Sequence, residues 1–190
     1  NAMTTPVGGN YFDFQGAAIN GSGQIAVFAD FMQGGNPSAG WIVGRPGSWR
    51  AALLFNDPVD GGLCHVLGFS RVPMTPLDDD GDLVVWCDLD PNGTMGRILV
   101  SAADGSLTVL ARQGGATGAG GNYGMIDAWP SMNSSGRVSI SSGTTGVAWS
   151  SAHLMGVLCG PGVAASPCRS LGQTLDIDDF GLGQAQAIAV

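Results

Sequence analysis

The sequence predicts an all-β fold assembled from repeated, four-stranded antiparallel units. Three observations carry that expectation. The first is a recurring phrase: an apolar residue, Asn or Asp, two small or polar residues, Gly, a polar residue, then an alternating apolar run. It runs from Ile19 through Asn20 and Gly23, from Leu77 through Asp78 and Gly81, and from Met132 through Asn133 and Gly136. Intervals of 58 and 55 residues mark one supersecondary unit used more than once. A degenerate copy follows at Asp178 and Gly181, and a second landmark keeps step at Gly8-Gly9-Asn10-Tyr11, Gly61-Gly62-Leu63 and Gly120-Gly121-Asn122-Tyr123. The second observation is compositional. All 15 acidic residues are Asp and all 7 basic residues are Arg, so the helix formers Glu and Lys are missing while turn residues abound. The third is punctuation, because short apolar runs are bounded by Gly, Pro, Asn and Asp throughout.

Taken in order, residues 1–3 read as an expression-tag remnant and 4–190 as a single all-β repeat domain. Its units cover about 8–60, 61–119 and 120–176, with a partial fourth over 177–190. After a polar lead-in and the first phrase, residues 24–31 alternate as a strand, with Ile25, Val27 and Ala29 on one side and Ala26, Phe28 and Asp30 on the other. Gly34-Gly35-Asn36-Pro37 breaks it. Strands follow at 40–43, 50–55 and 63–69, the last as the fourth strand of the first unit, with a turn region at 57–62 between them. In the second unit, strands are expected over 83–87, 97–100 and 107–112. Asp90-Pro91-Asn92-Gly93 and Ala103-Asp104-Gly105-Ser106 are the turns, because Asn-Gly and Asp-Gly tolerate left-handed backbone angles. Residues 111–124 form a Gly-rich connection. The third unit offers 138–141, 145–149 and 154–158, and an apolar strand ends the chain over 184–190.

The phrase at Asn20, Gly23 and 25–29 resembles the Asn-x-x-Gly-x-Val-Ala-Phe-x-Ala repeat of bacterial exported tandem-repeat proteins. The stretch 104–114, Asp-Gly-Ser-Leu-Thr-Val-Leu-Ala-Arg-Gln-Gly, is similar to that family's second motif. The likeness spans roughly residues 8–160. It departs in the first unit, which lacks the Ala-Arg-x-Gly ending, and in the third, where Ser139-Ile140-Ser141-Ser142 replaces Ala-Phe-x-Ala. The resemblance implies β-propeller-like blades and an exported protein, its signal segment lying outside this sequence, and it brings no catalytic residues. Three units are few for a propeller, which takes four to eight blades. A β-trefoil or prism-like closure is the alternative. Flanking sequence from a larger parent chain, or a homo-oligomer, is the other way to complete the sheet.

A formal charge of −8 with scattered Arg residues argues against nucleic acid and anionic membranes as partners. No run is long and apolar enough to insert in a membrane. Four cysteines allow three pairings; Cys159–Cys168 across a Gly-Pro-rich loop is the natural disulfide, with Cys64–Cys87 as the remainder. Asp88, Asp90 and Asn92 present oxygens at alternate positions as in the first half of a calcium loop, although Leu99 stands where the bidentate Glu belongs. Asp78, Asp80 and Asp82 form a second acidic cluster. The favoured reading of both is structural, with Asp90 and Asn92 shaping a hairpin turn and the other Asp residues keeping an edge solvated, and no other cofactor is suggested. His65 and His153 lie in no ligand pattern. The Asn or Asp and the Gly of each phrase (Asn20, Gly23, Asp78, Gly81, Asn133, Gly136, Asp178, Gly181) read as structural repeat positions, since a unique active site should break a repeat. Trp49, Trp129 and Trp149 are the residues to line a glycan- or peptide-binding face. The chain therefore reads as a non-enzymatic module for protein interaction or assembly, with a carbohydrate-binding module, then a glycan-active hydrolase, as alternatives.

Overall fold

Each recurring phrase folds into the same tight turn. The computed structural model describes residues 4–67, 76–92, 94–116, 122–126, 130–134, 136–145, 153–159 and 166–167. In it, Asn20 N donates to Gln24 O at 3.0 Å and Gly23 N to Asn20 O at 3.1 Å. Asp78 N to Asp82 O (3.1 Å) and Gly81 N to Asp78 O (3.3 Å) repeat both bonds. Asn133 N to Arg137 O and Gly136 N to Asn133 O, both 3.0 Å, repeat them again. The Oδ1 of each first residue accepts the N–H four residues on, at 2.8 Å from Gln24, 2.9 Å from Asp82 and 2.9 Å from Arg137. Gly23, Gly81 and Gly136 take φ of 79°, 93° and 76°. Any side chain there would be strained, which is why the phrase keeps Gly three residues after its Asn or Asp.

These turns connect strands into meanders. β1 (Tyr11–Ile19), β2 (Ile25–Gln33), β3 (Asn36–Arg45) and β4 (Ser48–Leu54) form the first sheet in chain order. β5 (Pro58–Val59) and β6 (Gly62–Leu63) are a separate small hairpin. β7 (Val66–Leu67), β8 (Leu83–Asp88), β9 (Gly96–Ser101) and β10 (Leu107–Arg112) form the second sheet, again antiparallel. In the third, β11 (Asn122–Ile126) and β12 (Ser131–Met132) both pair with β13 (Val138–Thr145), followed by β14 (His153–Cys159) and β15 (Ser166–Pro167). The three phrase turns thus sit immediately before β2, β8 and β13. The bridge Leu77–Leu83 and the pair Met132–Val138 close the second and third turns alike.

The sheets pack face to face in chain order. One apolar cluster joins the first two, with Phe28, Trp41 and Leu53 meeting Leu83, Val85 and Leu99. A second joins the next pair, with Val84, Ile98 and Val100 meeting Tyr123, Ile126 and Val138. The alternation of β8 explains this: Leu83, Val85 and Cys87 face one neighbour while Val84 and Trp86 face the other.

The all-β class stands, but three expectations are corrected. Among the described residues no sheet closes into a ring or barrel, so neither the propeller-like closure nor the trefoil- or prism-like one holds. Clusters join the first sheet to the second and the second to the third, and none among the described residues joins the first to the third. The lead-in before the first phrase is a nine-residue strand, β1, whose bulges around Tyr11–Asp13 and Phe14–Gly16 break the alternation that would have announced it. The strand at 63–69 does not complete the first sheet either, since Val66 and Leu67 pair with Asp88 and Cys87 of the second.

Asp78 stands where the flanking turns have Asn, and it is 2% exposed. Its Oδ1 accepts from Asp80 N, Gly81 N and Asp82 N at 3.1, 2.9 and 2.9 Å. Burial nevertheless pushes its carboxyl above the ordinary range, outweighing those bonds. A raised folded pKa favours the fold below the unfolded value of about 3.9, and that contribution is lost as pH rises through the folded value. Asp78→Asn keeps the acceptor and removes the buried charge, so its stability at pH 7 should equal or exceed that of the parent. Asp78→Ala strands three donors and should lose about 2–4 kcal/mol in urea unfolding at pH 7; an equal loss for both variants would show that the charge itself is needed.

Candidate functional site

The phrase turns do more than reverse the chain, because the structure brings all three together. Asn20 Nδ2 donates to Asp78 O at 2.6 Å, and Gly21 N donates to Asp79 Oδ1 at 2.8 Å. Asp79 N in turn donates to Ser134 O at 3.3 Å. The spacing at Gly21 is tight, since a Cβ would lie 2.9 Å from Asp79 Oδ1. Gln24 fills the gap to the second turn, and a Cβ on Gly81 would lie 2.6 Å from its Nε2. Arg50 of β4 bridges the same two sheets: Nη1 donates to Ser101 Oγ at 2.9 Å, and Nη2 to Gly81 O at 3.0 Å and Ser101 O at 3.2 Å. Burial lowers the pKa of its guanidinium, partly offset by Asp82 and Asp104.

The acidic stretch at Asp88, Asp90 and Asn92 is a loop in which each carboxylate serves its own backbone. Asp88 is fully buried, and its Oδ1 accepts from Asp90 N at 2.7 Å and Met95 N at 3.1 Å. Asp90 Oδ1 accepts from Asn92 N (3.0 Å) and Nδ2 (2.8 Å), while Oδ2 accepts from Thr94 Oγ1. Those bonds, Thr94 first, hold the Asp90 carboxyl below its usual range. Asp88 Oδ2 and Trp86 Nε1 are buried without partners, 3.9 and 3.2 Å from where a Cβ on Gly96 would lie. A single carboxylate oxygen beside an indole N–H is not a cation cage. In the neighbouring cluster, Asp82 Oδ1 accepts from Ala103 N at 2.8 Å, so Asp78 and Asp82 are both engaged with backbone. Among the described residues, no group of three His, Cys, Asp or Glu side chains is arranged to hold a metal. No helix among them is long and apolar enough to cross a membrane.

The remaining candidates are scattered. Trp49 is half-buried against Phe31, Ile42 and Leu54, on the outer face of the first sheet. Trp129 and Trp149 lie outside the described residues, as do Cys168, Asp178 and Gly181. The backbone of Cys159 pairs with Ser166, and its side chain is likewise outside the description. Cys64 and Cys87 are both buried, and no disulfide joins them. His65 packs edge-on to Phe55, ring centroids 6.4 Å apart, and the backbone of His153 pairs with Gly143.

An ion triad escaped sequence reasoning. Asp60 takes φ 48° and Gly61 φ 83° in the β5–β6 hairpin, the two positive angles of a type I′ turn. From there Asp60 Oδ2 receives Arg97 Nε and Arg112 Nε, both at 2.7 Å, and Oδ1 receives Arg112 Nη2 at 2.7 Å. The hydrogen bond from Arg112, the largest cause, outweighs burial and together with that from Arg97 draws the Asp60 carboxyl down to about 2. The Asp60-Gly61 dipeptide was the only local signal available, and it named no partner.

Comparison with protein-family models, with curated proteins and with solved structures returned no match. The likeness to exported tandem-repeat proteins is therefore corrected, and its physical basis is local. The Asn20 and Gly23 phrase is what this turn requires. Asp104-Gly105 is likewise an ordinary hairpin, with Ala102 N to Ser106 O at 2.9 Å and Gly105 at φ 89°.

Two outcomes follow from this geometry. Asp60 contributes stability that is complete above its unfolded value of about 3.9 and is lost as pH falls toward 2. Asp60→Asn should cost about 1–2 kcal/mol at pH 7, since Arg112 is solvent-exposed, and the gap to the parent should close by pH 2 in acid-range thermal scans. Titration with calcium to about 1 mM should leave Tm unchanged, because both Asp90 oxygens and Asp88 Oδ1 are already engaged and Asp88 Oδ2 is buried; a rise abolished by Asp90→Ala would contradict that.

Proposed function

We propose that the chain is a non-enzymatic, exported β-module that works by assembly, through the outer face of its first sheet. One observation carries this reading: that face is apolar and no other sheet covers it among the described residues. Cross-strand register places Phe14, Ala29, Gly40 and Leu54 in one row, Ala17, Val27, Ile42 and Ala51 in the next, and Ile19, Ile25, Gly44 and Trp49 in a third. None of the twelve is charged. Val7 and Tyr11 cover the end where Phe31, Ile42 and Leu54 are buried. Along β1 the face is open, with Phe14, in the row of Leu54, 56% exposed and Ile19, in the row of Trp49, 68% exposed.

A second copy of the chain is the occupant this surface fits. The chain's own sheets already pack face to face, so two outer faces meeting about a twofold axis would continue the same architecture. A four-stranded face of nine-residue strands measures roughly 30 by 19 Å. With one end covered, about 400 Å² per copy remains, which places the pair at the low end of specific interfaces. An open apolar patch of that size is at the limit of what monomers carry. The net charge of −8 on each copy opposes the contact, so added salt should strengthen it.

Sedimentation velocity across a concentration series tests the reading. The parent should show a monomer–dimer equilibrium in the micromolar range that tightens between about 0.05 and 0.5 M salt. Phe14→Asp with Ile19→Asp should be monomeric with Tm within about 2 °C of the parent, because both side chains are exposed. A parent that stays monomeric at millimolar concentration, or a dimer indifferent to both substitutions, would overturn it.

A further inference from the structure

The first phrase turn contains an Asn-Gly pair, Asn20-Gly21. Such a pair is prone to lose its side-chain amide, because Gly leaves the backbone nitrogen unhindered and free to swing onto the Asn carboxamide. Here the structure holds both reacting groups apart. Asn20 Oδ1 accepts from Gln24 N at 2.8 Å and Ser22 Oγ at 3.0 Å, while Nδ2 donates to Gln24 Oε1 at 2.8 Å and Asp78 O at 2.6 Å. The attacking nitrogen is occupied too, since Gly21 N donates to Asp79 Oδ1 at 2.8 Å. Reaction requires that nitrogen to lose its proton, and a carboxylate in contact with it disfavours the resulting anion. Burial is not the protection. Gly21 and Ser22 are exposed and Asn20 is half-buried, so water has access to the turn. Much of the restraint comes from the second turn, because Asp78 and Asp79 each lie 58 residues beyond their partner.

We infer that Asn20 is a latent deamidation site, guarded by the contact between the first two phrase turns and open to reaction when they part. The step needs only water. Gly21 N, deprotonated, bonds to Asn20 Cγ; the Cγ–Nδ2 bond breaks, and Nδ2 takes up the proton and leaves as ammonia. Water then opens the cyclic imide. Breaking the new bond to Cγ leaves Asp, and breaking the original backbone bond leaves isoaspartate; nothing is oxidised or reduced. Neither product restores the stack of turns. Asp keeps an acceptor for Gln24 N, as Asp78 does for Asp82 N, but sets a carboxylate oxygen against Asp78 O, which Nδ2 now approaches to 2.6 Å. Isoaspartate adds a methylene to the main chain inside a turn closed by Asn20 N to Gln24 O at 3.0 Å and Gly23 N to Asn20 O at 3.1 Å. A transient separation of the first sheet from the second is thereby made permanent.

Peptide mapping tests this. The full chain is incubated at mildly alkaline pH, folded and in urea, then digested with trypsin, and the amide-to-acid mass change is located by fragmentation. Lys is absent and Arg45 precedes Pro46, so Asn20 falls in peptide 1–50. In urea Asn20 should convert steadily. In the folded parent it should convert at least about tenfold more slowly, since the bonds at Asn20 and Gly21 must open first. Asp79→Ala removes the acceptor for Gly21 N from an exposed position and should fold. Asp60→Asn weakens the protein away from the turn and serves as the comparison. With urea adjusted to give both variants the same unfolded fraction, Asp79→Ala should convert Asn20 about tenfold faster than Asp60→Asn. Asn20→Asp should melt below the parent, as the loss of the Nδ2 donor requires. Conversion in the folded parent as fast as in urea, no conversion in urea, no excess in Asp79→Ala over Asp60→Asn, or an Asn20→Asp variant as stable as the parent would each overturn the inference. The comparison of folded with unfolded parent stands even if Asp79→Ala does not fold.

Discussion

The fold depends on one hydrogen bond made three times: a side-chain Oδ1 accepting a backbone N–H four residues on. That bond closes the turn at Asn20, Asp78 and Asn133, and it commits the following Gly to a left-handed angle. The turn sets the register of the strands that leave it, and a register error of one residue would exchange the two faces of every sheet. With the register set, Phe28 and Trp41 point toward the second sheet while Val27 and Ile42 point away. Because the turns also hydrogen-bond to one another, the same residues determine how neighbouring sheets align.

This arrangement explains the odd charge composition. A carboxylate one methylene from the backbone reaches N–H groups two to four residues along, as Asp78, Asp88, Asp90 and Asp104 all do. Glu, one methylene longer, fits such turns poorly. The guanidinium fork serves the opposite need. Arg50 and Arg97 each donate to several backbone or side-chain oxygens from a part-buried position, where an ammonium point charge would satisfy fewer acceptors. Asp and Arg are here chiefly devices for completing backbone hydrogen bonding between and within sheets. That accounts for much of the titratable chemistry without invoking a substrate.

Local features were legible in the sequence and long-range ones were not. The Asn-x-x-Gly phrase and the Asp104-Gly105 hairpin carry their geometry in adjacent residues, so reading them required no partner. The runs at β2, β8 and β10 are short, apolar and bounded by turn residues, which is enough for them to be seen. β1 was missed because two bulges and the small residues Gly16, Ala17 and Ala18 erase the period of two. The sheet to which Val66 and Leu67 belong depends on Cys87 and Asp88, and nothing local specifies that pairing. Asp60 finding Arg97 and Arg112 is illegible for the same reason. The closure of the sheets was misjudged because repetition announces equivalent units without saying what meets the ends of the stack. The outer face of the first sheet was hidden similarly, since Val27 and Phe28 look alike until a neighbour covers only one of them.

The first sheet pairs each strand only with its neighbours in sequence, β1 to β2 to β3 to β4. Such short-range pairing makes it a fast-forming element, available as soon as about fifty residues have emerged during synthesis. Its inner face must then wait for Leu83, Val85 and Leu99, which arrive much later in the chain. For that interval the nascent sheet exposes apolar surface on both sides. The order of translation therefore creates a brief amphiphobic intermediate, and the hairpin of β5 and β6, with its Asp60 anchor, comes next in line to orient the chain for the strands that end it.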